Sequence, residues 1–332
     1  MYEMKVNEIL EFASKEYGFQ KSTLQFISNS TNQIYMFKKQ DKPYILRFSA
    51  HPAEYVHQVK AEMDWLYYLE KQKLSVSLPL KTLQGEFVTY TENDGEAYIL
   101  SAFEKAGGQN WDKNDPLRWN AAVFNHWGRF MGDMHCKTKS YTPANKIDIR
   151  CSFTGREALN DSIKSCPSVN KIVEDLIAQM MSLPKDKDSY GLIHYDLHPW
   201  NFFIEDDHIN AFDFDDSLYG WFALDIGIAL YHGLWWGRKD DIGTDYTNSL
   251  IGNFLNGYLS ANPLTDYWLD KIPMFMKFRK ICQFSWFYSP NKKTDDLDNL
   301  IDCIEQGRLF TNCLIDKQLF TNRFYQSTSF PI

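Results

Sequence analysis

Paired cysteines, long apolar runs and an excess of basic residues are all missing from this sequence. Its six cysteines form no C-x-x-C pair, which is typical of the reduced, packed thiols of a cytoplasmic protein. The most apolar window, 221–237, contains Asp225 and His232 and is too short to span a bilayer. With 35 basic against 43 acidic residues, the net charge is −8, which argues against nucleic acid as the main partner. We therefore expect neither a membrane nor a nucleic-acid partner.

The features of a signal peptide and of a repeat protein are also missing. Residues 1–19 predict an amphipathic helix, without the basic start, apolar core and cleavage site of a secretory leader. The sequence shows no internal repeat. Its 332 residues suit about two domains, and an apolar share of 44% supplies a large core.

The first hundred residues alternate short apolar runs with polar turns, a pattern that predicts β-strands. The predicted strands are 24–27, 33–38, 43–49, 78–83, 85–90 and 96–103. Between the third and the fourth, residues 53–72 place Val59, Met63 and Leu66 on one stripe and predict a helix. We expect an antiparallel sheet with one helix packed on it.

Residues 104–116 contain two glycines and a proline, which predict a boundary. Beyond it the pattern is helical, with helices expected over 116–138 and near 168–182, 222–236, 245–260, 264–288 and 296–320. The strand-like segments of this half are 191–194, 201–205 and 208–214. The predicted fold class is α+β, with domains at 1–103 and 104–332.

The stretch GLIHYDLHPWNFFIEDDHINAFDFDD, residues 191–216, concentrates polar chemistry around two apolar runs. Pro199 prevents a helix, so its first part is predicted to be a loop after a strand. The returning strand brings Asp213 to Asn201, with Asp196 nearby. Asparagine and aspartate oxygens suit Mg²⁺, and a further carboxylate could orient and deprotonate a hydroxyl. This set of groups favours phosphoryl transfer.

Two other interpretations compete for the same residues. His194, Asp196 and His198 have the types and spacing of transition-metal ligands, although no second histidine-rich cluster completes such a site. Alternatively, the loop is a hydrogen-bonded Asx turn whose acids are solvated. The second interpretation loses weight because strand carboxylates are costly to bury without a partner.

HYDLHPWN (194–201) followed by AFDFDD (211–216) resembles the signatures of the aminoglycoside phosphotransferase and choline kinase-like superfamily. Asp225-Ile-Gly resembles the structural aspartate on that family's next helix, and FMGDMH resembles its helix end at His135. The resemblance covers most of residues 24–236. It implies a protein-kinase-like, two-lobed fold, with a small antiparallel nucleotide-binding lobe and a mainly helical catalytic lobe.

Carried over to this sequence, the resemblance assigns roles to individual residues. It implies that Asp196 is the catalytic base and that His194 orients the loop. Asn201 and Asp213 are the implied Mg²⁺ ligands. Asp215 is a candidate for a second metal or for the substrate.

The resemblance also implies a strand cation that meets the phosphates of the nucleotide and pairs with a helix carboxylate. Arg47 and Glu62 are the candidates. Arginine stays charged and binds phosphate in a fork, so it can replace the lysine of many relatives. The alternative for Arg47 is an outward-facing arginine on an edge strand.

The loop that covers the phosphates would lie between the first two strands, at Ser30, Thr31 and Asn32. It has no glycine and therefore no G-x-G-x-x-G motif, and a plain polar turn explains the same residues. The adenine is expected beside the connecting segment that contains Ser101 and Phe103.

The acceptor is less determined than the reaction. Relatives of the implied family phosphorylate aminoglycosides, choline, homoserine, methylthioribose, macrolides and sometimes protein serines. Aromatic side chains in the helical half could line a cation-binding pocket, although core packing explains them better. We predict Mg²⁺-dependent transfer of the γ-phosphate of ATP, or GTP, to a hydroxyl of a small molecule such as an amino sugar or amino alcohol. A protein serine/threonine kinase and a catalytically idle nucleotide-binding scaffold are the alternatives, and the oligomeric state is not predicted.

Overall fold

A computed structural model describes residues 2–29, 31–93, 96–155, 167–206, 208–236 and 244–287. Two predictions lie outside these ranges: the helix at 296–320 and the role of Ser30. The described residues form an α+β fold, in which a six-stranded antiparallel sheet precedes a larger, mainly helical part. The sheet ends at Glu104, and the proposed domain boundary at 103/104 stays a prediction.

The sheet is built by the first hundred residues, as predicted. Its strands are β1 (Gln25–Asn29), β2 (Gln33–Lys39), β3 (Lys42–Ala50), β4 (Pro79–Leu80), β5 (Val88–Asn93) and β6 (Glu96–Glu104). The order is β1-β2-β3-β6-β4, with β5 also paired to β6. The predicted strands 78–83 and 85–90 are wrong in extent. Gly85, in a positive-φ conformation (91°), donates its N–H to the Thr82 carbonyl at 3.0 Å, and this turn delays β5 until Val88.

The two faces of the sheet contact different helices because strand side chains alternate. Leu46 and Phe48 of β3 are buried in a cluster with helix α1 (Tyr2–Tyr17). Arg47, between them, therefore points to the other face, where helix α2 (Val56–Lys71) contributes Glu62. The alternation thus directs Arg47 toward the candidate site.

The larger part contains six helices within the described ranges: α3 (Ala121–Thr138), α4 (Pro167–Met181), α5 (Phe222–Trp236), α6 (Thr244–Ala261), α7 (Asp266–Leu269) and α8 (Ile272–Phe287). Helix α3 starts five residues later than predicted. Its N-cap is Asn120, whose side chain accepts hydrogen bonds from the backbone N–H groups of Ala122 and Val123. The single helix predicted over 264–288 is two helices, α7 and α8.

Two short antiparallel strand pairs, one of them a hairpin, hold the acidic stretch. Strand β8 (Phe202–Glu205) pairs with β9 (His208–Ala211), and β7 (Tyr190–Ile193) pairs with β10 (Leu218–Trp221). The sequence interpretation missed β10 and extended the return strand to residue 214. Strand β9 ends at Ala211, and Asp213 has a left-handed backbone (φ 64°) that a continuing strand does not allow.

Helix α5, which the sequence predicts near 222–236, lies within the core. Every residue from Phe222 to Leu234 is buried, which fits a helix that is apolar on all sides. Among the described helices, none combines the length and apolarity needed to cross a membrane. Cys136, Cys151 and Cys282, the cysteines within the described ranges, form no disulfide with one another.

Candidate active site

A buried carboxylate fixes the start of the loop that follows β7. Asp225, in the first turn of α5, accepts backbone N–H bonds from His194 (3.1 Å) and Tyr195 (2.8 Å). The Nε2 atom of His135 lies 3.0 Å from the same carboxylate, and its Nδ1 lies 2.9 Å from the Tyr258 hydroxyl. The structure therefore joins the two outlying positions of the sequence resemblance, Asp225 and His135, in one hydrogen-bonded group beneath the loop.

His194 connects this loop to the acidic segment that follows β9. Its Nδ1 accepts the backbone N–H of Asp196 at 3.3 Å, so its Nε2 carries the proton and donates to the Phe212 carbonyl at 3.1 Å. Burial lowers the pKa of His194, which keeps the ring neutral. The predicted orienting role of His194 matches this geometry, since the ring ties residue 196 to the residue before Asp213.

Asn201 and Asp196 are brought together by the turn. The Asn201 side-chain amide donates to the Asp196 carbonyl at 2.9 Å and to its Oδ2 at 3.1 Å. The Phe212 N–H donates to the Asn201 carbonyl at 3.0 Å, which extends the β8–β9 pairing by one step. The antiparallel return predicted from the sequence therefore does place residue 213 beside residue 201.

Asp213 faces the cleft, where 45% of its side chain is exposed, and its Oδ1 lies 3.9 Å from Nη1 of Arg47. Although part of the side chain reaches the cleft, desolvation by the surrounding protein and the neighbouring Asp215 raise the pKa of Asp213 well above its usual value. Asp215 accepts a hydrogen bond of 2.5 Å from Nδ2 of Asn32. Burial opposes ionisation of Asp215, but Arg47 and Asn32 outweigh it and lower its pKa. Of these two adjacent carboxylates, Asp215 therefore ionises more readily than Asp213.

The oxygen donors of this cleft fit a hard cation such as Mg²⁺. Asn201 uses its amide nitrogen on Asp196, which leaves its amide oxygen for a ligand, and Asp213 supplies a carboxylate in the same cavity. In the described part of the chain, no group of three or more His, Cys, Asp or Glu could hold a metal ion. Mg²⁺ needs only a few protein oxygens, because phosphates and water complete its coordination shell.

Arg47 and Glu62 form the ion pair that the sequence predicts. Nη1 of Arg47 donates to Oε1 of Glu62 at 2.9 Å, and Nη2 donates to Oε2 at 2.5 Å. Both side chains are buried. Arg47 lies between Ile34 and Ser101 in the sheet register, so β3 is an inner strand and the outward-facing alternative is wrong. Burial disfavours the charged guanidinium, but Glu62 and Asp215 outweigh it and raise the pKa of Arg47.

A cavity of about 340 Å³ opens between the sheet and the β8–β9 hairpin. Its polar lining includes Arg47, Glu62, Asn201 and Asp213. Its apolar lining includes Ile27, Ile34, Ile45, Leu66, Phe103, Phe203, Phe212 and Phe214. Apolar walls with a few convergent polar groups are typical of a small-molecule site. Except for Phe103, the sequence interpretation did not identify the apolar side chains, because only tertiary contact distinguishes them from ordinary core.

The other residues predicted to bind the nucleotide differ in their position relative to this cavity. Phe103 lines it, and the Arg47 guanidinium lies 4.9 Å from the center of its ring. Ser101 is buried and lines a smaller space behind Arg47, together with Asn32 and Asp215. Thr31 is exposed. The nucleotide roles of all these residues stay predictions, namely those of Thr31, Asn32, Arg47, Glu62, Ser101 and Phe103.

Two residues that the predicted phosphotransferase site did not include, His198 and Arg279, contact the Asp196 carboxylate. His198 accepts the Trp200 N–H at Nδ1, so its Nε2 donates to Oδ2 of Asp196 at 3.2 Å. Arg279 of α8 contacts Oδ1, and its Nε donates to Nε2 of His232 at 2.8 Å. Burial opposes ionisation of Asp196, but Arg279 and His198 outweigh it and lower the pKa of Asp196.

A sequence signal for Arg279 does exist. Ile272, Phe275, Met276 and residue 279 follow the spacing of one buried helix face, and all are almost fully buried. A charged residue at such a core position needs a partner. The sequence cannot name that partner, because Asp196 lies 83 positions earlier.

The geometry argues against the transition-metal alternative. Both ring nitrogens of His194 contact protein groups, and so do both of His198. The Asx-turn alternative correctly predicts a hydrogen-bonded turn, although the His198 N–H donates to the main-chain carbonyl of Asp196 at 2.8 Å and not to its carboxylate. It fails as a full account, because Asp196 is held by a buried arginine and is not a solvated acid.

The sheet, the helical part, the Arg47–Glu62 pair and the Asp196–Asn201–Asp213 loop together define a phosphotransferase of protein-kinase-like fold. The phosphotransferase enzyme family (APH) matches residues 23–268, which is most of the chain, and the chain belongs to this family. It is a small-molecule phosphotransferase.

The relatives agree with this membership. The amicoumacin kinase of Bacillus subtilis (strain 168) is 35% identical over 281 residues, which cover 82% of each chain. A solved amicoumacin kinase, hAmiN, in complex with AMP-PNP, Ca²⁺ and Ami, has a TM-score of 0.85 at 28% identity, covering 96% of this chain and 99% of the other. A microcompartment-associated aminopropanol kinase has a TM-score of 0.68 at 19% identity, covering 92% and 95%, and shows the fold alone.

Proposed function

We propose that this protein transfers the γ-phosphate of ATP to a hydroxyl of amicoumacin or of a related small amine-bearing molecule. One observation carries the proposal: Asp196 is hydrogen-bonded to Asn201, and Asn201 lines one cavity with Asp213 and the Arg47–Glu62 pair. Base, metal ligands and phosphate cation are the parts that phosphoryl transfer requires. The two amicoumacin kinases among the relatives support the choice of acceptor.

Each part has a role in this proposal. Asp196 accepts the proton of the acceptor hydroxyl and orients it toward the phosphate. Arg47, held in its rotamer by Glu62, binds phosphate oxygens through its fork of N–H groups. Asn201 and Asp213 would hold Mg²⁺, which neutralises phosphate charge when bound. The apolar walls of the cavity would bind the adenine, and the cytoplasm is the proposed compartment.

The test is Mg²⁺-dependent consumption of ATP, and of GTP in parallel, with amicoumacin, amino alcohols, aminoglycosides and a generic protein substrate. We expect turnover that amicoumacin or another small amine stimulates. Asp196→Asn should reduce it by about 10²- to 10⁴-fold, since that is the usual contribution of a positioned base, while nucleotide binding remains.

The outcomes separate the alternatives. Stimulation by the protein substrate alone would replace the proposed acceptor with a protein serine or threonine. Nucleotide binding without turnover on any acceptor would favour the idle scaffold. Full turnover by folded Asp196→Asn protein would remove Asp196 from the mechanism.

A further inference from the structure

The Asp196 carboxylate is held from two directions. The loop after β7, residues 194–201, is called the catalytic loop here. It holds Oδ2 through Nδ2 of Asn201 at 3.1 Å and Nε2 of His198 at 3.2 Å. Oδ1 contacts Nη2 of Arg279, which comes from α8 and not from the loop. A carboxylate offers about four acceptor sites, so these three donors leave one for an acceptor hydroxyl.

Arg279 is itself held in place. It is 2% exposed, and its Nε donates to Nε2 of His232 at 2.8 Å. The His232 ring is buried and stacks on Trp236 with ring centers 4.5 Å apart. An arginine that is packed, hydrogen-bonded and almost inaccessible cannot leave Asp196 without rearranging α5 and α8.

We propose that Arg279 is a positioning residue for phosphoryl transfer: it fixes Oδ1 of Asp196 while the catalytic loop fixes Oδ2. This inference rests on the proposed function, because it gives Arg279 a role through the proposed base. The family match ends at residue 268, so membership of the family does not assign this contact. The Arg279 side chain of α8 thus completes a site whose other residues come from the loop after β7 and from the β8–β9 hairpin.

The geometry predicts which kinetic constant depends on Arg279. The nucleotide cavity is lined by Arg47, Asn201 and Asp213, and Arg279 is not part of that lining. Loss of Arg279 should therefore affect the orientation of the base and leave nucleotide binding in place. A displacement of about 1 Å in a reacting group can reduce the rate about 10²-fold.

The experiment compares Arg279→Gln, Arg279→Lys and the control Lys277→Gln in steady-state turnover with ATP and the best acceptor. We expect Arg279→Gln to lower kcat about 10²-fold, with a KM for ATP within about twofold of the wild type. Arg279→Lys keeps the positive charge, but a lysine has no fork of N–H groups with which to contact both Asp196 and His232. Its kcat should therefore lie between that of the wild type and that of Arg279→Gln. Lys277→Gln removes a positive charge from the same helix and should leave kcat unchanged.

Removal of a buried partner also destabilises a protein, so thermal unfolding of each variant is recorded alongside. If Arg279→Gln does not fold, Arg279→Lys decides: a kcat reduced about tenfold with unchanged KM for ATP supports the proposal. Wild-type kcat in folded Arg279→Gln or Arg279→Lys would overturn it, and so would a parallel change of KM for ATP. Failure of the proposed function would instead appear in the wild type, as an absence of acceptor-stimulated turnover.

Discussion

Asp213 and Asp206 share an unusual backbone on the same hairpin segment. Both have positive φ, 64° for Asp213 and 48° for Asp206, a region that asparagine also tolerates. Asp213 lines the cavity of about 340 Å³, whereas Asp206 is exposed at the turn between β8 and β9. Substitution of either by asparagine replaces one carboxylate by an amide without adding backbone strain, so the two form a matched pair.

We predict that Asp213→Asn weakens Mg²⁺-dependent nucleotide binding at least about tenfold, or about 1.4 kcal/mol, because a hard cation loses its carboxylate ligand. Titration calorimetry with AMP-PNP, with and without Mg²⁺, measures this. The effect should disappear without Mg²⁺, and Asp206→Asn should bind like the wild type. Equal Mg²⁺-dependent affinity in Asp213→Asn and the wild type would place the metal elsewhere.

At the scale of elements, helices α3 and α6 cross with their backbones in near contact. A Cβ atom on Gly128 would lie 1.8 Å from the Phe254 carbonyl oxygen, and one on Gly257 would lie 1.9 Å from that of Asn125. Only glycine permits this approach, because any side chain would force the helices apart. The crossing supports the core around Trp127, which contacts Phe254 edge-on.

We predict that Gly128→Ala destabilises the protein by about 1–3 kcal/mol or more, since overpacking against backbone cannot be relieved by a rotamer change. Thermal or urea unfolding measures the change. Gly252→Ala is the control, because it lies on α6 with nothing within 4 Å of its added Cβ. There the better helix propensity of alanine should stabilise by up to about 1 kcal/mol. A Gly128→Ala protein as stable as the control would contradict the close crossing.

At the scale of the whole molecule, the cavity has walls from both parts of the fold. Ile34, Ile45 and Arg47 come from the sheet, while Phe203 and Asp213 come from the hairpin region of the larger part. Asn32, in the turn between β1 and β2, also reaches across to Asp215. A ligand in the cavity therefore contacts both parts at once.

We predict that AMP-PNP with Mg²⁺ raises the thermal midpoint of the whole chain as one transition. At a ligand concentration about 100 times Kd, mass action adds about 2.7 kcal/mol of stability. Scanning calorimetry at several nucleotide concentrations measures the shift. An unchanged midpoint at saturating nucleotide would contradict a native-state site, and a shift in only part of a split transition would contradict a site shared by both parts.

The sequence predicted those site residues that are close along the chain or tied by periodicity. Asp196, Asn201 and Asp213 lie within one loop and one hairpin, where a proline and a return strand determine their meeting. The sequence did not predict where that hairpin ends. The left-handed backbone of Asp213 and the pairing of β10 with β7 depend on contacts outside the segment.

The sequence by itself therefore determined the α+β fold class and the meeting of residues 201 and 213, which follow from local alternation and turn residues. The pairing of Arg47 with Glu62 was instead implied by the family resemblance, and the structure contains that ion pair. Only the tertiary structure decided that Arg279 meets Asp196 and that Ser101 lies behind Arg47. Packing between elements distant in sequence fixes such contacts, and no local pattern encodes the distance between α8 and the loop after β7.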